Sequence, residues 1–183
     1  MFKNKALFLK ETGHPEWSRG GALDIGFSKQ KAIVSYAGQQ LFLNEILPHE
    51  IGHLVLHDFV GTDYKIPTWF NEGVAQIFEI GKAEKSDLIM KLMLRLDRYY
   101  PIESLGKIKI RYEKNAELVE LFYAESASVV NFLIKKFGSD AFGRLCRKMS
   151  NGESFESAMS HVYKNVFTSY SDLQKKWIQY LIR

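Results

Sequence analysis

His49-Glu50-Ile51-Gly52-His53 decides how the rest of this chain is read. A helix turns once every 3.6 residues, so side chains at i and i+4 stand one above the other on a single face. Both imidazoles can then reach one ion at the roughly 2.0–2.1 Å of a zinc–nitrogen bond. Glu50 is rotated aside, too near in sequence to ligate with them but placed to hold a water on that ion. A catalytic ion of this kind keeps three protein ligands and one open position, so a third donor is required.

Working outward, Pro67-Thr68-Trp69-Phe70-Asn71-Glu72-Gly73-Val74-Ala75 supplies it: Glu72 follows His53 with 18 residues between them. That interval lets the first helix end near Asp58–Gly61, a loop turn, and a second helix from Thr68 bring Glu72 back across the site. The pair HEIGH and WFNEGVA resembles the gluzincin metallopeptidases, in their aminopeptidase-N-like and peptidase MA-like branch. The resemblance runs from about Ala32 to Gly138. It implies a zinc-dependent peptidase with one Zn2+ per chain, held by His49, His53 and Glu72. Glu50 is then the general base that takes a proton from the zinc-bound water and passes it to the leaving amine. The implied partner is a peptide or protein substrate.

Other parts of the resemblance are looser. Tyr123-Ala124-Glu125-Ser126 is similar to the family's Y-x-K-G segment, whose tyrosine stabilises the oxyanion, and this makes Tyr123 the second candidate catalytic residue; Arg111 and Tyr112 stand in reserve. Gly20-Gly21-Ala22-Leu23-Asp24 lies where those aminopeptidases carry G-x-M-E-N, with Asp24 and Ile25 replacing glutamate and asparagine, and reads better as a β-turn. Gln76, one turn after Glu72, is expected to orient a histidine, because ligating imidazoles donate their second N–H to an acceptor. Asn71 is expected to cap the second helix. His57, one turn beyond His53, lies too far along a regular helix to share the ion and belongs at the helix C-terminus, where the dipole favours its protonated form. His14 and His161 read as structural, and Tyr99-Tyr100 and Phe122-Tyr123 as core aromatics.

Composition narrows the class. With 183 residues, 46% hydrophobic and 25% charged, the chain reads as a soluble globular domain spanning 1–183. It divides into an N-terminal sheet over 1–38, metal-site helices over 39–138 and C-terminal helices over 139–183. The net charge of +4 is spread along the chain with no zinc-finger, RNP or helix-turn-helix pattern, which argues against nucleic-acid binding. Cys146 is alone, so it forms no intrachain disulfide, and it reads as a small buried hydrophobe. No run of apolar residues is long enough to span a bilayer, and no signal-peptide core follows Met1, although resembling peptidases are often exported or envelope-associated.

Periodicity predicts an α+β fold, mainly helical, with a small N-terminal sheet. Residues 6–11, 22–27 and 31–37 read as strands, separated by turn signals at His14-Pro15 and Gly20-Gly21. By the resemblance, 31–37 is the candidate for the edge strand that pairs with substrate, the alternative being a strand wholly paired inside its own sheet. The metal helix is expected from an Asn44 cap to Asp58, with Pro48 in its first turn and Ile46, Leu47, Ile51, Leu54 and Val55 buried. Further helices are expected over 68–81, 86–99, 117–137, 139–150, 153–163 and 169–181, with Gly138 as a stop. A zinc-binding module with weak or no turnover, holding a peptide or envelope protein, is the rival reading, and a non-peptide zinc hydrolase the third.

Overall fold

The computed structural model describes residues 1–24, 31–61 and 66–183. It is mainly helical, with a two-stranded antiparallel sheet near the N-terminus, as the periodicity predicts. Strand β1 (Gly20–Asp24) pairs with β2 (Lys31–Ser35) in the register Gly20↔Ser35 to Asp24↔Lys31. Phe2 adds a parallel bridge to Tyr36. Gly20 and Gly21 therefore lie within a strand, not a turn. Residues 25–27 of the expected second strand lie outside the described residues.

The first expected strand is instead helix α1 (Lys5–Thr12). Asn4 accepts a hydrogen bond from the Leu7 N–H at 2.9 Å, and Gly13 closes the helix in the left-handed region at φ 64°. With both ends capped and straight-chain residues between, the alternation of Ala6–Glu11 has no second sheet face to bury and the helix wins.

Helix α2 (Leu47–Val60) carries the HEIGH stretch. The chain reaches it through a π-helical turn, Phe42–Ile46, so Ile46 is already helical at φ −66° and ψ −51°; Asn44 sits inside that turn and makes no cap. Pro48 occupies the first turn, where its missing N–H costs nothing. The buried face is Ile46, Glu50, Gly52, Leu56 and Val60. Ile51 and Val55, expected inside, are 39% and 50% exposed. Helix α3 (Thr68–Phe78) decides this orientation. A Cβ on Gly52 would lie 2.8 Å from the Ala75 Cα, so α2 turns its glycine edge to α3.

Helix α4 (Lys82–Arg95) begins four residues earlier than 86 because Gly81, at φ 72°, starts it directly after the turn that ends α3. A short helix α5 (Ile102–Leu105) follows. Helix α6 (Ala116–Ser150) is the spine, kinked at Gly138 (φ 83°, ψ 161°) where the stop is expected. Helices α7 (Phe155–Val162) and α8 (Tyr170–Leu181) start at Ser154 and Ser169, whose hydroxyls accept from Ser157 and Asp172 N–H groups. The core lies between α3, α6 and the C-terminal helices. Trp69, Phe70 and Phe155 pack there edge-to-face or tilted, with ring centroids 5.0–5.7 Å apart, and Cys146 is buried among apolar neighbours.

Candidate metal centre

A cleft of about 690 Å³ opens between β1, α2, α3, the first turns of α4 and the first turns of α6. At its floor His49 and His53 project from one face of α2, and Glu72 from the first turns of α3. The two Nε2 atoms stand 3.1 Å apart, and Glu72 Oε2 lies 3.5 Å from one and 3.6 Å from the other. A tetrahedral ion with bonds of about 2.0–2.1 Å separates its ligands by about 3.3 Å, so this donor triangle fits a zinc ion without rearrangement.

The imidazole tautomers support the same fit. His49 Nδ1 donates to Glu79 Oε1 at 2.8 Å and His53 Nδ1 to Asn71 Oδ1 at 3.0 Å. Both Nε2 lone pairs therefore converge with a carboxylate on one point, an arrangement that favours a cation there. A proton already shows the effect. Burial opposes charging His49, yet the Glu72 and Glu79 carboxylates outweigh it and raise its pKa to about 9. Burial likewise opposes the Glu72 charge, and the two histidines hold it down at about 2.

Orientation of the histidines differs from expectation on both counts. Asn71 lies inside α3 and is not its cap, because Pro67 already occupies that position. Gln76 is buried with its Oε1 unpartnered and orients neither ring. Glu79 takes the place expected of Gln76. It sits seven residues, two turns, after Glu72 on the same side of the helix, and that spacing is the signal in the sequence that reveals it. Lys82 Nζ lies 3.5 Å from its other oxygen.

Glu50 is 9% exposed beside the triangle. Burial raises its pKa, while His49, His53 and the Ala22 backbone N–H favour its charge. Gly20, Gly21 and Ala22 of β1 line the cleft, and Lys31 at the start of β2 does as well. Tyr123, on α6, places its ring 6.4 Å from His49 and sits against the Glu72 carboxylate; burial, then the charges of Glu72 and Glu50, push its pKa well up, so the hydroxyl keeps its proton. Arg111 lines the cleft, with Nη2 donating to the Gly13 carbonyl at 3.3 Å, whereas Tyr112 is 76% exposed and outside it.

The remaining histidines stay apart from the triangle. His57 lines the cleft, but burial, then His53 and Lys31, lower its pKa, which reverses the expectation of a dipole-favoured cation. His14 packs on Phe8 and over Gly21, and His161 donates to Glu153 at 2.6 Å on the surface. Tyr99, Tyr100 and Phe122 pack in or against the core.

The model of the Peptidase MA superfamily matches residues 14–183, and the chain belongs to that superfamily. The match places it among metallopeptidase-like domains and takes in β1, α2, α3, α4 and α6 around the cleft. No curated protein and no solved structure matches the chain.

Proposed function

We propose that this chain is a single-domain, zinc-dependent peptidase of gluzincin type, with His49, His53 and Glu72 as ligands to one ion. The observation that carries the reading is the convergence of two Nε2 atoms and one carboxylate oxygen beside a buried glutamate, in a cleft bordered by a strand edge. Zinc in such a site acts as a Lewis acid and makes a nucleophile available at neutral pH. Glu50 accepts the proton of the attacking water and delivers it to the leaving amine. Its raised pKa brings it nearer the working pH of a general base, and the Ala22 N–H keeps it aimed.

Tyr123 donates to the carbonyl oxygen as charge gathers on it, a role that needs the hydroxyl protonated throughout. The edge of β1 borders the cleft through Gly20, Gly21 and Ala22, and an extended peptide can lie along it.

Cleavage of a mixed peptide library by the zinc-loaded protein, read by mass spectrometry beside Glu50→Gln, tests the reading. Cuts made by the wild type alone are expected, with zinc bound equally in both. Equal turnover in the variant would overturn the role of Glu50, and no cuts by the zinc-loaded wild type would favour a binding module instead.

A further inference from the structure

Helix α4 shows solvent a face that its own fold does not explain. Leu88, Leu92 and Leu96 recur every fourth residue and form one stripe, 67%, 52% and 54% exposed. Ile80, two residues before the helix, is 83% exposed. Lys85, Lys91 and Arg95 border the stripe and are exposed. Among the described residues none of the three lies in an ion pair, while each acid of the same helix has a partner. Asp87 accepts from Ser128 at 2.6 Å and from Asn131 at 2.8 Å, and Glu84 pairs with Lys135 at 3.7 Å. Glu84 is itself exposed but offset by Lys135, so the outer face of α4 presents leucine and a net positive charge.

We infer that the exposed face of α4 docks on an anionic lipid surface. An interfacial helix needs an apolar stripe to enter the headgroup boundary and cations beside it to meet lipid phosphates, and α4 has both without length or hydropathy enough to cross the bilayer. Charge selects this occupant. A second copy seated on the same face would set Lys85, Lys91 and Arg95 against one another, and like charges across an interface oppose association. The flank of α4 next to the stripe lines the cleft through Lys82, Lys85, Ser86 and Ile89, so docking brings the cleft mouth alongside the lipid. On the peptidase reading, the substrates are then segments lying next to the membrane surface.

Co-sedimentation of the full chain with vesicles tests this independently of any peptidase activity. Vesicles of phosphatidylcholine mixed with phosphatidylglycerol should bind the protein, and phosphatidylcholine alone should not. Each cation near such a surface strengthens binding about fivefold, so Lys91→Gln with Arg95→Gln should weaken it about twenty-five-fold. Replacing Leu88, Leu92 and Leu96 by Ser should weaken it by at least about tenfold, with an unchanged circular dichroism spectrum. Failure to bind the mixed vesicles overturns the inference. So does binding that ignores the leucine substitutions and is matched by soluble polyglutamate, which would mark a general polyanion patch. A dimer seen by sedimentation equilibrium that the leucine variant abolishes would assign the face to a second copy instead.

Discussion

Glu79 and Asn71 each fix one imidazole, and the consequence is measurable at the level of single atoms. With Nδ1 bonded to an acceptor, each ring keeps its Nε2 lone pair for the ion. Glu79→Gln keeps the volume and loses the charge. Zinc affinity, measured by competition with a chromophoric chelator, should fall about 10–100-fold. Gln76→Ala, at the position the sequence spacing favoured, should leave it nearly unchanged. A second residue-scale prediction concerns Glu125, buried on α6 with one oxygen accepting from the Tyr100 N–H at 2.9 Å and the other unpartnered. Burial raises its pKa to about 8, so its neutral form is the one the fold accommodates. Stability from this group is full below the unfolded value near 4.5 and is lost as pH rises through about 8. Glu125→Gln mimics the protonated form. In urea titrations it should flatten the decline between those limits and be more stable than wild type at pH 8 by about 2–4 kcal/mol.

Packing between elements is what sets the donor triangle, and two glycines allow it. Gly52 brings α2 onto α3, and a Cβ on Gly73 would meet the Ser126 carbonyl and lie 2.7 Å from Val130 Cγ2, so α3 presses equally close on α6. Gly52→Ala should cost about 1–3 kcal/mol in chemical denaturation, because the near atom is backbone and cannot yield. Val55→Ser, on the exposed face of the same helix, should stay within about 0.5 kcal/mol. The strand edge makes a separate prediction. Ala22→Pro removes the N–H directed at Glu50, and proline is tolerated on an edge whose donors face outward. Losing a donor to the charged form raises the Glu50 pKa further, so the acidic limb of the kcat/KM profile against pH should move to higher pH.

At the scale of the whole molecule, the aromatic core around Trp69, Phe70 and Phe155 and the network joining Trp177, Ser128, Asp87 and Asn131 lie away from the triangle and hold α3, α4, α6 and α8 together. Chelation should therefore remove activity and leave the far-ultraviolet circular dichroism spectrum unchanged. Returning zinc should restore turnover and raise apparent stability by about 1.4 kcal/mol for each tenfold rise in free metal above the dissociation constant. Loss of helical signal on chelation would show instead that the metal holds the fold together.

The sequence by itself determined what depends on local periodicity. Four-residue spacing stacks His49 on His53 in any regular helix, eighteen residues return the chain to Glu72, and Gly138 interrupts α6 wherever that helix packs. The α+β class and most of the C-terminal helices follow from the same kind of reading. Only the tertiary structure decided which neighbours those elements meet. Ala6–Glu11 alternates like a strand, but as a helix it buries Phe8 against Phe2 and Tyr36. Ile51 and Val55 look like core, but the close approach at Gly52 turns them outward. Asn71 and Glu79 gain their roles from the crossing of α2 over α3, and the β1 edge gains its place from the glycines that let it settle on Ile46 and His14. The physical reason is range: backbone hydrogen bonds and side-chain period act within a few residues, while burial and ligand orientation depend on contacts between segments far apart in the chain.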